Sequence, residues 1–466
     1  MEEIEKQQQR KIHVVMFPWL AHGHITPYVE LAKSLHTHGF RISFASTPLN
    51  IARLKQQLLQ AQPVPEIDLV ELPLPSVEGL PAGAESTGDV KRGGTIPLLI
   101  EALDRCDKPF EALLRRLSPD FIIHDGVQYW TPRVARSLGI PVIYFSVIGV
   151  ASTYFTEGRE RNNPTAEDLT VAPPGYPSPA VRRRLFEAQK CLLVHRKDPK
   201  LGISFMERLS ICAEECLAIA CNSCVELEGA FIEYWGKTTE RPVLPVGISM
   251  PPLPPRPPGD RCLDWLDCQT ARSVVLVSFG TECTPTREEM AALALGLEES
   301  LVPFLCILLG HDGGVALPEG YEDRTRGRGL VVTKWAPQLH ILNHPSTGAF
   351  LTHCGWNSVT EGLRFGVPFV ALPMQYEQGL NARLIAEVLK IGVEVKRNDE
   401  DGTIYKEEIC RAVRAVMVEE NGRQFRSNVA KFSKVLTANE CQIRETNIRN
   451  FVSFLRGKAP NNENPL

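Results

Sequence analysis

The stretch AFLTHCGWNSVTEG, residues 349 to 362, predicts a buried strand that turns directly into a helix starting near Asn357. Where a parallel strand ends, the first N–H groups of the next helix can face an anion, and Gly355 would let a phosphate approach the backbone. Ser358 and Glu361 also match the S-x-x-E capping box, which needs no ligand. The residues alone therefore leave two interpretations open, a structural cap and an anion site.

A second strand end in the same half of the chain offers similar chemistry. The run SVVLVSFGT predicts a strand and a turn that place Ser278, Gly280 and Thr281 beside an anion, as His353 and Ser358 would be at the first turn. Two such turns in one domain indicate a diphosphate. No predicted strand is followed by G-x-G-x-x-G, and no complete phosphate-binding loop occurs, so NAD and ATP are less favoured ligands.

Short apolar strands and amphipathic helices alternate in two separate series. Such alternation predicts parallel β-α units, and two series predict an α/β protein with two doubly wound domains. Prolines in PPLPPRPPGD oppose helix and sheet pairing, so we expect domains over residues 1–250 and 261–445 joined by a linker over 251–260. The strands of the first series are KIHVVMF, RISFAST, PDFIIHD and IPVIYFS, and those of the second are SVVLVSFG, FLCILLG, GLVVTKW, TGAFLTH and FVALP.

The composition disfavours several classes of partner and location. Charged residues make up 23 % of the 466 residues and the net charge is −4, so no basic face predicts a nucleic-acid or anionic-membrane partner. The start is polar, and no apolar run reaches the ~18 residues of a membrane span. Thirteen scattered cysteines, an odd number, indicate free thiols in a reducing compartment. We expect a soluble, cytoplasmic protein.

The cysteine-rich stretch ICAEECLAIACNSC is the one cluster that could indicate a metal site. Only Cys221 and Cys224 have the C-x-x-C spacing, and no second pair follows at the distance of a zinc site. Buried thiols at a junction between a helix and a strand are the favoured interpretation. No metal is expected.

The longer stretch WAPQLHILNHPSTGAFLTHCGWNSVTEGLRFGVPFVALPMQYEQ, residues 335 to 378, resembles the signature of plant family-1 UDP-sugar glycosyltransferases at nearly every fixed position. FPWLAHGHITP, CLDWLDCQTARSVVLVSFGT and CNSCVELE also resemble family stretches, so the likeness extends over most of the chain. The resemblance implies the GT-B architecture, two Rossmann-like domains facing a cleft, with the nucleotide sugar held mainly by the second. Residues 446–466 are expected to form a helix that packs back on the first domain and ends in a frayed tail.

The resemblance assigns most of this signature to a UDP-sugar. Trp335 would stack on uracil, although on the residues alone a Trp at a strand end is more often part of the core. A carboxylate such as Glu361 can accept hydrogen bonds from both hydroxyls of a ribose. With the two turns included, the expected contacts are Trp335, Ala336 and Gln338 with uridine, Glu361 with the ribose, Ser278, Thr281, His353, Gly355, Asn357 and Ser358 with the diphosphate, and Trp356, Glu377 and Gln378 with the sugar.

Sugar transfer to a hydroxyl also needs a base with a pKa near neutrality. FPWLAHGHITP offers His22 and His24, and His24, expected just before the helix of TPYVELAKSLHTHG, matches the base of the family. Asp125, at the end of the strand in FIIHDG, occupies the position of its carboxylate partner, which would fix the imidazole tautomer. On the residues alone, a loop His is more often solvated, and an Asp at a strand end can be a turn-former.

The resemblance implies an enzyme that inverts the anomeric centre and needs neither a metal nor a cofactor. The donor is expected to be UDP-glucose, because Trp356 and Gln378 are the residue types that the family pairs with glucose. Glu377 stands where the family usually has Asp, and we expect looser selectivity. The acceptor would be a small hydrophobic metabolite, a flavonoid or terpenoid, or its glycoside, and the chain would be a monomer. The alternatives are a UDP-sugar epimerase or hydrolase of the same fold, and an inactive UDP-sugar-binding homologue.

Overall fold

Strands and helices alternate along the chain in the computed structural model, which describes residues 10–59, 65–90, 95–157, 164–308, 317–438 and 440–459. Short 3-10 helices lie at Thr87–Asp89 and Asp168–Thr170, and a π-helical turn at Leu384–Val388. The strands are β1 His13–Phe17, β2 Arg41–Ser46, β3 Asp68–Glu71, β4 Phe121–His124, β5 Val142–Ser146, β6 Ala218–Cys221, β7 Val243–Pro245, β8 Val274–Ser278, β9 Phe304–Ile307, β10 Gly329–Val332, β11 Thr347–Thr352, β12 Phe369–Ala371 and β13 Gly392–Glu394.

The helices cover both faces of the sheets that these strands form. They are α1 His22–Thr37, α2 Pro48–Leu59, α3 Ile96–Asp104, α4 Asp107–Leu117, α5 Thr131–Ser137, α6 Val150–Glu157, α7 Leu185–His195, α8 Phe205–Glu215, α9 Val225–Thr239, α10 Arg261–Asp267, α11 Arg287–Ser300, α12 Tyr321–Arg324, α13 Gln338–Leu342, α14 Trp356–Arg364, α15 Gln378–Arg383, α16 Lys406–Met417, α17 Asn421–Ala438 and α18 Glu440–Lys458.

The strands of the described residues form two parallel sheets. The first has the order β3-β2-β1-β4-β5-β6-β7, and the second has the order β10-β9-β8-β11-β12-β13. β1, β4, β8 and β11 are buried along their whole length, as expected for strands covered by helices on both faces. The two predicted doubly wound α/β domains are confirmed, and each sheet reverses its strand order once, between β1 and β4 and between β8 and β11.

Helix α1 differs from the expectation in where it begins. It starts at His22 and ends at Thr37, so it contains the histidines that were expected to precede it, and Pro27 lies inside it. Gly39 follows with φ of 87°, a left-handed conformation that ends the helix. The pattern TPYVELAKSLHTHG missed the first turn because its residues are polar and Pro27 imitates a helix start.

Residues 251–260 contain neither helix nor strand, and Asp260 caps α10 by accepting hydrogen bonds from the N–H groups of Cys262 and Leu263 at 3.0 and 3.1 Å. At the other end of the chain, α18 buries Phe451 and Leu455 in the same apolar cluster as Val14 of β1. The last helix therefore packs on the sheet of the first domain, behind the strand that leads to α1.

Candidate active site

The first polar pair of the site lies where the first sheet reverses its order. β1 and β4 are neighbours, with Phe17 opposite His124, so the segments that follow them lie side by side. His24 in the first turn of α1 contacts Asp125 directly after β4, and its Nδ1 is 2.7 Å from the Asp125 Oδ2. The N–H of Gly126 donates to Asp125 Oδ1 at 2.7 Å. The carboxylate is thus fixed in position before any substrate binds.

This contact determines the chemistry of His24. The ionised carboxylate can only accept, so Nδ1 donates its N–H to Asp125, which leaves the lone pair of the imidazole on Nε2. Burial lowers the pKa of His24, but the negative charge and hydrogen bond of Asp125, with smaller contributions from Glu282 and Glu377, outweigh it, and the pKa is raised above 6.5. The side chain is 27 % exposed, whereas neighbouring His22 is an exposed residue. His24 therefore has the geometry of a general base.

The turn that carries His24 is tied to the second domain by one hydrogen bond. Asn357 Nδ2 donates to the carbonyl of Gly23 at 2.9 Å. In a regular helix that carbonyl would accept from the N–H four residues later, but that residue is Pro27, which has no N–H. Pro27 thus leaves the Gly23 carbonyl available to Asn357. The second hydrogen of Nδ2 and the backbone N–H of Asn357 remain as donors that could face a diphosphate.

The residues predicted for uridine lie together at the ends of β8 and β10. Trp335 is 75 % exposed, so it is no part of the core and presents an indole face on which a base can stack. Gln338 receives a hydrogen bond from Ser278 Oγ at 2.8 Å and donates to Glu361 Oε2 at 2.6 Å. Ser278 is buried and orients Gln338, so its hydroxyl proton does not reach a diphosphate. The carbonyl of Ala336 accepts the N–H of Gln338 at 2.9 Å, and the expected contact of its backbone with the base stays a prediction.

Helix α14 begins one residue earlier than expected, and this start excludes the capping box. Gly355 is the N-cap, no side chain caps the helix, and the first internal bond runs from the Val359 N–H to the Gly355 carbonyl at 3.0 Å. Ser358 lies inside the first turn, so the capping-box interpretation is wrong. The N–H groups before Val359 point out of the helix end, as an anion site requires.

Glu361 lies on α14 one turn after the helix start. Burial raises the pKa of its carboxyl to about 7, although the hydrogen bond from Gln338 and the charge of Arg364 act in the opposite direction. A carboxyl with this pKa changes its protonation state near neutral pH. Hydroxyl donors, such as those of a ribose, would stabilise its ionised form.

His353 lies between two glycines that have no room for a side chain. A Cβ on Gly280 would be 3.0 Å from the imidazole, and one on Gly355 would be 2.6 Å from its Nε2. Gly280 also has φ of 68°, which favours glycine. Both predicted turns therefore meet at His353, with exposed Thr281 next to Gly280. Cys354 is buried and fills space, as expected.

The residues predicted for the sugar have different surroundings. Trp356 is only 3 % exposed, and its indole N–H donates to the carbonyl of Asn222 in the first domain at 2.8 Å. That N–H therefore joins the two domains, and the expected contact of Trp356 with the sugar stays a prediction. The Oε1 of Gln378 accepts the N–H groups of Met374 and Gln375 at 3.1 and 3.0 Å, which orients its amide.

Glu377 precedes Gln378 and lies near enough to His24 for their charges to interact. Burial raises the pKa of Glu377, and the positive charges of His24 and Arg183 act against that rise. Its carboxylate and the imidazole of His24 are thus close enough to influence each other's protonation. A sugar held at Glu377 would lie beside the base.

Comparisons with known proteins agree with this geometry. Residues 232–440 match the family model described as UDP-glucoronosyl and UDP-glucosyl transferase. The chain is 38 % identical to UDP-glycosyltransferase 91D2 of Stevia rebaudiana, with 96 % of this chain and 95 % of the relative covered. It is 35 % identical to the anthocyanidin-3-O-glucoside rhamnosyltransferase of Petunia hybrida, with 95 % and 96 % covered. The chain belongs to the plant family-1 UDP-glycosyltransferases.

The fold comparison extends this membership to the whole architecture. The Glycyrrhiza uralensis glycosyltransferase UGT73P12, solved with glycyrrhetinic acid 3-O-monoglucuronide, superimposes with a TM-score of 0.81 at 25 % identity, covering 96 % of each chain. The two Rossmann-like domains and their cleft are the GT-B fold of these glycosyltransferases. The enzyme class predicted from the sequence is confirmed.

Two residues of this glycosyltransferase were missed by the sequence analysis. Glu282 accepts a hydrogen bond from Thr87 Oγ1 at 2.6 Å across the cleft, and its charge raises the pKa of His24. Its place directly after Thr281 was the available signal. Asn222 receives the indole N–H of Trp356, and nothing in the sequence around it indicated that contact.

Three further features concern metals, thiols and membranes. Within the described ranges, no three His, Cys, Asp or Glu side chains are grouped as metal ligands. Every cysteine whose side chain the structure describes is a free thiol, and Cys212, Cys216, Cys221 and Cys224 are buried around the junction of α8 and β6, as predicted. Among the described helices, none combines the length and apolarity needed to cross a membrane.

Proposed function

We propose that this glycosyltransferase transfers glucose from UDP-glucose, with inversion, to a hydroxyl of a small flavonoid or terpenoid metabolite or of its glycoside. The observation that carries the proposal is the 2.7 Å contact of His24 Nδ1 with Asp125, held next to the diphosphate turn by the bond between Asn357 and Gly23. That arrangement supports a base whose Nε2 carries the lone pair and lies next to the turn that would hold the diphosphate of the donor.

The reaction that fits these groups is a single displacement. The acceptor oxygen forms its bond to the anomeric carbon as His24 Nε2 takes the hydroxyl proton, and Asp125 stabilises the resulting imidazolium. The bond from the anomeric carbon to the diphosphate breaks, and its electron pair leaves with UDP. The N–H groups at the start of α14 and the side chain of His353 meet the negative charge of the leaving group. One displacement from the opposite face inverts the anomeric centre.

Support for a glycoside as acceptor comes from the relatives. The Petunia enzyme is named for a glucoside, and the Glycyrrhiza enzyme was solved with a monoglucuronide. The name of the Petunia enzyme also makes UDP-rhamnose a second candidate donor. An epimerase, a hydrolase or an inactive homologue is not favoured, because the relatives are named transferases and His24 and Asp125 form a complete pair.

The test combines a set of flavonoid and terpenoid aglycones and their monoglucosides with UDP-glucose and UDP-rhamnose, and identifies products by mass spectrometry. We expect glucose to be added, with the β-configured product from the α-configured donor. Release of free sugar or an epimerised nucleotide sugar, without acceptor transfer, would support the rival enzymes instead.

We also propose that the enzyme acts in the cytoplasm as a monomer without a metal. Free buried thiols support a reducing compartment, and N–H donors at the start of α14 can replace the cation that often accompanies a diphosphate. Transfer should continue in excess EDTA. Complete loss of activity that Mg²⁺ or Mn²⁺ restores would contradict the metal-free mechanism.

A further inference from the structure

A cluster of charged side chains joins the two domains beside the sugar end of the site. This domain clamp consists of the side chains of Arg184 and Glu187 and the backbone carbonyl of Arg182 from the first domain, and of the side chains of Arg383 and Glu394 from the second. Its charged groups alternate in sign, and most are buried: the side chains of Arg383, Glu394 and Glu187 are 5 %, 8 % and 12 % exposed. Buried charges need such partners, because an unpaired one is strongly destabilising.

Arg383 is the centre of the clamp. Its guanidinium donates to the Glu187 carboxylate, to Glu394 Oε1 at 2.7 Å and to the carbonyl of Arg182 at 3.0 Å. Arg184 Nε adds a second contact with Glu394 Oε1 at 3.2 Å. Arg383, the last residue of α15, is therefore bonded to the sheet of its own domain through Glu394 and to the other domain through Glu187.

Glu187 contacts α15 at a second point. A Cβ on Gly379 would collide with the Glu187 carboxylate, so only glycine lets the helix approach this closely. The carboxylate also accepts the backbone N–H of Arg184 at 2.9 Å, which ties it to the start of α7. Because α15 spans only Gln378–Arg383, contacts at Gly379 and Arg383 fix the helix along nearly its whole length.

The neighbouring Phe186 anchors the same segment of the first domain. It is buried, it packs beside Gly402, where a Cβ would be 2.6 Å from its ring, and the guanidinium of Arg397 lies 5.4 Å from the ring centroid. The start of α7 is thus inserted into the second domain, and Glu187 is presented to α15 in a fixed position.

We propose that Glu187 and Arg383 are positioning residues for donor-sugar selectivity, which act by fixing the N-terminal end of α15, where Glu377 and Gln378 lie. The inference rests on the proposed contacts of those two residues with the sugar. Its consequence is that the acceptor domain contributes to the choice of donor sugar, although Glu187 is not expected to touch the donor.

The test is Glu187→Gln, which keeps the size of the side chain and removes its charge. We expect the KM of UDP-glucose to rise about 5-fold, and the ratio of kcat/KM for UDP-glucose over UDP-galactose to fall about 3-fold. The Kd of UDP should stay within about 2-fold, because the uridine groups lie outside the clamp. Glu187→Asp, which keeps the charge, should restore part of the selectivity.

The matched control is Asp104→Asn. Asp104 pairs with Arg208 at 2.5 and 2.8 Å, and the two side chains are 12 % and 2 % exposed, but both residues belong to the first domain and lie outside the clamp. This variant should lower Tm without changing the donor ratio. Two results would overturn the proposal. One is an equal shift of the donor ratio in Glu187→Gln and Asp104→Asn. The other is an unchanged donor ratio in folded Glu187→Gln, or in Glu187→Asp if Glu187→Gln does not fold. If wild type prefers another donor, the proposed donor is wrong. The ratio of kcat/KM for that preferred donor over a second donor then still tests the clamp.

Discussion

The two domains use the same point of their sheets for different chemistry. Between β1 and β4 the first sheet carries an imidazole and a carboxylate, which suit the uptake of a proton. Between β8 and β11 the second sheet carries glycine turns, a helix start and His353, which together suit an anion. Reversal of strand order opens a crevice in both domains. The side chains that follow the strands, and not the fold, decide what each crevice can do.

If the two crevices divide the work in this way, a change in the first should remove transfer and leave donor binding intact. His24→Ala should lower kcat by about 10³-fold or more, because it removes the group proposed to take the acceptor proton. The Kd of UDP, measured by calorimetry, should change less than about 2-fold. His22→Ala is the matched control and should retain its rate. Full turnover by His24→Ala would show that the base lies elsewhere.

The carboxylate of the pair should have a smaller effect than the imidazole. Asp125→Asn should lower kcat by about 10- to 100-fold, since His24 remains but loses its orientation and its stabilising charge. Asp125 raises the pKa of His24, and the base must be neutral, so the acidic limb of the profile of kcat/KM against pH should move to lower pH in the variant. A limb that stays in place would mean that another group titrates there.

The same pKa difference has a consequence for stability. A raised pKa in the folded state stabilises the protein below the unfolded value of 6.5, and this contribution is lost as pH rises through the folded value. Wild type should therefore lose stability relative to Asp125→Asn over that interval. Thermal unfolding of both proteins between pH 5.5 and about 8 measures the difference.

The residues of the two crevices differ in how far apart they lie in the chain, and this distance determined how well each crevice could be predicted from the sequence. The residues from Trp335 to Gln378 form one continuous stretch, so their resemblance to a single family signature predicted most of the donor contacts together. His24 and Asp125 are 101 residues apart, and their contact requires β1 to pair with β4. The strand series predicted two parallel sheets, but apolar strand sequences do not show which strands are neighbours. Only the resemblance to the family predicted that His24 and Asp125 are partners.

The errors have the same cause. Ser358 matches a capping box only if the helix begins there, and a start at Gly355, which local pattern does not fix, moves it into the first turn. The indole N–H of Trp356 donates to the carbonyl of Asn222, 134 residues earlier in the chain, and this contact was not predicted. Glu187 and Arg383 form a clamp over 196 residues. Contacts between domains leave no periodic signal in either segment.

A change in the second crevice should weaken donor binding more than the chemical step, which is the reverse of the effect expected for His24→Ala. Glu361→Gln should weaken the binding of UDP-glucose by about 10-fold, because a charged acceptor is lost to the ribose hydroxyls, and the chemical step should change less. In wild type, affinity should fall as pH drops below about 7, where the Glu361 carboxyl becomes protonated. UDP-glucose is the right probe, since its diphosphate has no terminal group that titrates near pH 6. A pH dependence that persists in Glu361→Gln would assign it to another group.

The smallest expected effect lies where the two crevices meet. Glu377 faces His24, and its carboxylate can accept sugar hydroxyl bonds, as an Asp would, but with one more methylene of reach. In Glu377→Asp the carboxylate lies about one bond length further from the sugar. This change increases donor selectivity only if the second domain makes most of the contacts with the donor. We expect UDP-glucose to be the best donor of wild type, with UDP-xylose or UDP-galactose used at lower efficiency, and Glu377→Asp to favour glucose about 3-fold more strongly. The measurement is kcat/KM for UDP-glucose, UDP-galactose, UDP-xylose, UDP-glucuronate and UDP-rhamnose on both proteins. A wild-type preference for another sugar would refute the donor assignment, and unchanged ratios in the variant would mean that selectivity is set by contacts other than Glu377.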